Sequence, residues 1–235
     1  MISKQPLAPP PKIGAVIAVF LLLFLARSVV TFPIEHVDAA FKYEAAAAMV
    51  RGGGLEELLT NHHTMRWSEV LPQVVVTWAT GFRYEGLYLL PLVAFALAGA
   101  LLWRGLQPAL SLTQQALLLA LLFLEPVGLT HTGQLLNPPF GVLYALLAIT
   151  VLARPGPPSW RRTALAALAF FCAYGAHSTY LSFAAGGVAW LLLFQRRPDL
   201  AALLVFALGL LLRLETLAFN AIAPDGLAGG RFEAL

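Results

Sequence analysis

The chain has 235 residues, 59% of them hydrophobic and only 11% charged, with a net charge of +3. A soluble domain carries about 25% charged residues, so this composition excludes a surface wetted on all sides and points to a protein integral to a membrane. The size suits a single bundle, the small positive charge calls for no nucleic-acid partner, and the lone cysteine, Cys172, excludes an intrachain disulfide and reads as a small core residue.

A helical span needs roughly 20 apolar residues. The first such run covers 13–32, "IGAVIAVFLLLFLARSVVTF", preceded by Lys4 and Lys12. No A-x-A-like site follows closely and Arg27 interrupts its tail, so it reads as a retained anchor rather than a cleaved signal peptide.

The next segment, 33–85, carries charges of both signs. Asp38 to Arg51 has helix-forming composition with no internal Pro or Gly, and glycines at 52–54 stop it. On a 3.6-residue wheel Phe41, Ala45, Ala48 and Met49 form one stripe. Asp38 falls within that stripe, Lys42 at its edge, and Glu44 and Arg51 lie opposite. The stripe is therefore expected to face the bundle and to carry Asp38 with it. Two readings of Asp38 stand side by side. It caps the helix dipole and pairs with Lys42 at i,i+4, or it is a partly desolvated carboxylate that takes a proton from an acceptor hydroxyl or amine, or holds a metal. Further on, His62 and His63 are adjacent, a poor spacing for metal ligands on a helix. Arg66 and Trp67 suit an interfacial segment in contact with a charged or sugar-like ligand. The stretch 70–81, "VLPQVVVTWATG", is apolar but too short to cross and is predicted to be a juxtamembrane helix.

Further apolar runs cover 86–103, 112–129, 135–153, 163–180, 181–194 and 200–219, which predicts seven spans in all. With the N-terminus in the cytoplasm, Arg104, Arg154, Arg161, Arg162, Arg196 and Arg197 fall on the cytoplasmic side, as the positive-inside bias requires. The 33–85 segment, "THTGQLLNPP" and the polar hinge "YGAHST" fall on the other side. The run from 163 to 194 must cross twice in a short length, so its two helices are expected to leave a depression near the outer surface. Arg27, Glu125 and Arg213 sit roughly 20 Å above the cytoplasmic surface on separate spans, with Glu215 and His177 near the same depth. Ionisable groups inside a span mark functional sites by default. The bland alternatives are arginines that snorkel to the headgroups, or that pair with Glu125 or Glu215.

This arrangement resembles the N-terminal part of the GT-C fold glycosyltransferases, polytopic enzymes such as protein O-mannosyltransferases, aminoarabinose transferases and oligosaccharyltransferases. The residues that carry the resemblance are a first span, then "DAAFKYEAAAAMVRGG" opened by Asp38, then Pro72 to Gly81 as P-x(8)-G, then "RYE" at 83–85 leading into the second span. It covers roughly 12–220 and implies an all-α, polytopic transmembrane helix bundle forming a single domain over 1–235, with amphipathic juxtamembrane helices in a long first outer loop. It also implies transfer of a sugar from a polyprenyl-phosphate-linked donor to an acceptor at the extracytoplasmic face of a plasma (bacterial inner) membrane. By the resemblance Asp38 takes the place of the family's catalytic aspartate. Lys42, Arg66, His131 and Asn137 would line the substrate site, and Arg213 and Arg27, with Glu125 nearby, would hold the phosphate. Ala39 stands where many members have a second acid, and "HTGQLLNPP" offers His131, Gln134 and Asn137 but no carboxylate. No cofactor is assigned, and these departures weigh against the divalent metal that the family offers as an option. Expected partners are the lipid-linked donor, membrane lipids, and a partner chain or a further C-terminal region. A non-catalytic lipid- or glycan-binding subunit on the same module is the rival. A small transporter is a weaker reading, because the charges gather away from the midplane.

Overall fold

A computed structural model of the chain describes residues 37–83, 86–106, 137–154 and 156–222, with the isolated positions 111, 114 and 117. Among these residues the protein is all-helical: seven α-helices, two short 3₁₀ turns and no strand. The helices are α1 (Val37–Val50), α2 (Trp67–Thr80), α3 (Gly86–Leu106), α4 (Asn137–Ala153), α5 (Trp160–Ala176), α6 (Leu181–Leu193) and α7 (Pro198–Ile222). The 3₁₀ turns are Leu55–Leu59 and Ser178–Tyr180. Five of the seven apolar runs coincide with α3 to α7, whereas 13–32 and 112–129 lie outside the described residues. By length and composition one helix among the described residues, α7, is able to cross a membrane. It has 25 residues, about 37 Å at 1.5 Å rise, and a mean hydropathy of 2.1.

The local rules that place these elements are simple. α1 stops where Gly52 takes φ +106°, a conformation that costs a side-chain residue dearly. α2 stops in the same way at Gly81 (φ 61°, ψ 42°), whose N–H donates to the carbonyls of Thr77 and Trp78. Inside α2, Pro72 has no N–H to offer the carbonyl of Ser68. The Tyr144 hydroxyl of α4 donates to that carbonyl instead, at 3.1 Å, and ties α2 to the bundle. Ser159 caps α5 by accepting from the Arg162 N–H at 3.5 Å. α5 ends at the predicted hinge: His177 is extended, and its ring Nδ1 accepts from the Thr179 N–H at 3.3 Å before α6 begins. The two helices flanking this hinge have 17 and 13 residues, about 25 and 20 Å, so the pair is short as expected.

The main core joins α4, α5, α6 and α7 through Ala148, Leu152, Phe170, Leu191, Leu200 and Leu204. Cys172 is only half-buried, so it stands at the edge of this core rather than within it. Two further clusters seat α1 and α2 on one end of the bundle. Ala39 packs with Ala94 of α3, Phe140 at the start of α4 and Ala176 at the end of α5. Ala45, Ala46, Leu58, Met65 and Val70 pack on Phe219 near the end of α7. Arg104, Arg154, Arg161, Arg162, Arg196 and Arg197 follow or begin the same helices at the opposite end. Six arginines therefore gather at that end, where Asp199 is held by Arg197 at 2.9 and 2.6 Å.

Candidate functional site

Asp38 sits in the first turn of α1 with a side chain 21% exposed, so it is neither in bulk solvent nor sealed. It faces the turn that links the first 3₁₀ segment to α2. That turn is built locally: the Thr64 hydroxyl donates to the carbonyls of Leu58 (3.0 Å) and Asn61 (2.7 Å), and Asn61 Oδ1 accepts from the His63 N–H (2.9 Å). It presents His63 and Arg66 to the carboxylate. His63 Nδ1 lies 3.1 Å and an Arg66 guanidinium nitrogen 3.9 Å from Asp38 Oδ2. The His63 ring also lies parallel to Phe41 at 6.2 Å and tilted against His62 at 3.7 Å. Burial pushes the His63 imidazole below its ordinary value of 6.5, with Asp38 pulling the other way. Burial prevails because His62, Arg66 and Lys42 add to it, which favours the neutral imidazole at pH 7.

Beneath this trio lies a second pair. Lys42, one turn after Asp38, donates to Glu69 Oε2 of α2, and the two side chains are 1% and 0% exposed. Burial lowers the Lys42 pKa from 10.5 more than Glu69 restores it. Ser68, Gln73 and Thr77, on the same side of α2, are buried as well, while Leu71, Val75 and Trp78 face outward, the last two 63% and 72% exposed. α2 is thus inside out: its polar face packs inward and its apolar stripe at i, i+4, i+7 is uncovered. Trp67 anchors the start of α2, its indole N–H donating to Glu215 Oε1 of α7 at 2.6 Å and its ring lying 5.1 Å from Phe171.

The sequence-level candidates sort accordingly. Asp38 and Arg66 come together, 3.9 Å apart. Lys42 does not border a ligand space: it is buried in the centre of the packed face of α1 and engaged with Glu69. The inward face of α1 is Ala39, Lys42, Ala45, Ala46 and Ala47. It is turned by about one residue step, ~100°, from the expected stripe, because the buried carboxylate of Glu69 draws Lys42 inward. Arg213 lies on the exposed side of α7, two residues and therefore ~200° from Glu215, which accepts from the Trp67 indole. The structure does not bring Arg213 to Asp38. Asn137 starts α4 at the end of the bundle where Asp38 lies, but its side chain is outside the described residues, as are Arg27, Glu125 and His131 altogether. Sequence reasoning missed His63 as the neighbour of Asp38, and missed Glu69. The signal for Glu69 was an acid inside an apolar helix that also holds Pro72. Among the described residues no three metal-ligating side chains gather.

Comparison with protein-family models, with curated proteins and with solved structures returned no match to this chain.

Proposed function

We propose that the chain is an integral membrane protein with a GT-C-like glycosyl-transfer site, in which Asp38 receives the proton of an acceptor hydroxyl or amine. The membrane reading is supported by Leu97, Leu147, Leu165, Leu168, Phe183, Leu193, Phe206 and Leu210, all large, apolar and exposed on the outer faces of α3 to α7. It is supported too by the gathering of arginines at one end of the bundle, which the positive-inside rule assigns to the cytoplasm. On this reading the Asp38 site belongs to the extracytoplasmic face, and the seven apolar runs are the spans.

The observation that carries the reading is the trio itself. A partly exposed carboxylate on an amphipathic helix has a neutral imidazole and a guanidinium beside it. Asp38 and His63 supply two adjacent proton acceptors. Arg66 supplies a fixed positive charge for the phosphate of a polyprenyl-phosphate sugar, where negative charge builds up as the sugar departs. On this reading Arg66 takes the role assigned from sequence to Arg213, while Arg27 lies outside the described residues.

The test is sugar transfer from a polyprenyl-phosphate-linked donor by the purified, full-length chain. Asp38→Asn is expected to remove turnover while leaving insertion and melting temperature unchanged. Undiminished turnover in that variant would reject the mechanism. The second reading, a non-catalytic lipid- or glycan-binding subunit, draws on the same contacts, because Arg66 already compensates the charge of Asp38 and His63 lies against it. Donor binding without turnover by the unaltered chain would select it.

A further inference from the structure

We infer that the lateral groove between α4 and α6 binds an anionic phospholipid, with one acyl chain in the groove and the phosphate among Arg154, Arg161 and Arg196. This rests on the membrane reading above and not on glycosyl transfer. The groove has a volume of about 400 Å³ and is walled by Ile149, Leu152 and Ala153 on α4 and by Phe183, Gly186 and Trp190 on α6, within the ~300–1,000 Å³ typical of small-molecule sites. Ser182 is the hydroxyl in its lining, and it already donates to the Thr179 carbonyl at 2.8 Å. The walls therefore suit a hydrocarbon chain better than a polar ligand. Two adjacent glycines divide the work. A Cβ on Gly187 would meet Leu152 and Phe170 at 3.1 Å, so this glycine allows α6 to close on its neighbours. A Cβ on Gly186 would meet nothing within 4 Å, so this glycine leaves the groove open.

Charge names the headgroup. The α4 wall ends at Ala153 and Arg154 follows it directly. The Arg162 guanidinium donates to the Arg154 carbonyl at 3.1 Å, which fixes the turn, and the Arg161 guanidinium lies over the exposed Trp160 ring at 5.3 Å. On the α6 side the Gln195 N–H donates to the Trp190 carbonyl at 3.2 Å, and Arg196 comes next, exposed. Asp199, the acid in this part of the chain, is taken by Arg197. An apolar groove whose two walls are each followed in the chain by an exposed arginine, Arg154 after α4 and Arg196 after α6, matches a lipid with an anionic phosphodiester, and basic pockets between helices on the cytoplasmic side are where such headgroups bind.

The test uses the full chain in mild detergent, after an alkaline carbonate wash of the source membranes. Phosphatidylglycerol carrying a mid-chain diazirine is added, irradiated and mapped by peptide mass spectrometry, with phosphatidylcholine of the same chains in parallel. Adducts are expected on 149–153 and 182–190, stronger with phosphatidylglycerol and suppressed by the unlabelled lipid. Gly186→Leu, which fills open space, should remove them at unchanged melting temperature. Arg154→Gln and Arg196→Gln should each lower phosphatidylglycerol labelling about fivefold. Equal labelling by the two lipids, or labelling indifferent to Gly186→Leu, overturns the site. A chain that the carbonate wash releases overturns the membrane reading instead.

Discussion

The buried Lys42–Glu69 pair gives the sharpest test of how the outer helices are held. With side chains 1% and 0% exposed, neither charge retains bulk water. Lys42→Met leaves the buried carboxylate of Glu69 without its ammonium, and Glu69→Leu leaves the buried ammonium without its carboxylate. Breaking such a pair from one side costs about 3–5 kcal/mol, whereas replacing both partners by apolar side chains of similar volume is often neutral or stabilising. At about 2–4 °C per kcal/mol for a chain of this size, each single variant should melt roughly 6–20 °C lower. The double variant should melt above either single, giving a coupling of at least ~2 kcal/mol. Melting of the detergent-purified chain, followed by circular dichroism, completes the cycle. The reasoning fails if the two single losses simply add in the double variant, or if Lys42→Met melts like the parent protein. Either result would mean that Lys42 and Glu69 are solvated by something other than each other.

His63 predicts a pH dependence with a definite sign. Its folded pKa lies below the ordinary 6.5, so the unfolded chain takes up the proton first. The stability this contributes is complete above 6.5 and is lost as pH falls through the folded value. His63→Asn should flatten the fall in melting temperature on the acid side, and a parallel curve would reject the assignment. Gly175→Ala places a Cβ 2.6 and 2.7 Å from Trp67 ring atoms. It should cost about 1–3 kcal/mol by overpacking and shift tryptophan emission as the indole leaves Glu215, while Gly186→Ala, facing open space, serves as the tolerated control.

The elements were legible because their signals are local. The start of α1 near Asp38, its stop at Gly52, the end of α2 at Gly81 and the break at His177 each follow from residues within a turn of the event. The stretch 70–81 read correctly as a helix despite Pro72, and Tyr144, 72 positions on, shows how that proline is accommodated. Partnerships across the chain were not legible. Lys42 meets Glu69 from 27 residues away, and Trp67 meets Glu215 from 148. Nothing within either segment announces the other. The adjacent histidines were weighed as metal ligands on a helix, but they stand on a turn, where one of them is free to face Asp38.

The error over α1 has the same root as the inverted face of α2. Assigning a helix its inward side by its apolar stripe assumes that water lies outside. α2 buries Ser68, Glu69, Gln73 and Thr77 and leaves Leu71, Val75 and Trp78 uncovered, so its apolar stripe does not mark its inward side. Once Glu69 is turned inward, the cheapest compensation is a cation from the facing helix, and α1 supplies Lys42 at the cost of rotating Phe41 and Ala48 toward the rim. That rotation also sets the position of Asp38. Four residues before Lys42, and so one turn along the same side, the carboxylate is carried to the edge of the contact, within reach of His63 and Arg66. The polarity of α2 thus fixes the site on α1: substituting Glu69 should disturb the surroundings of Asp38 even though the two carboxylates sit on different helices.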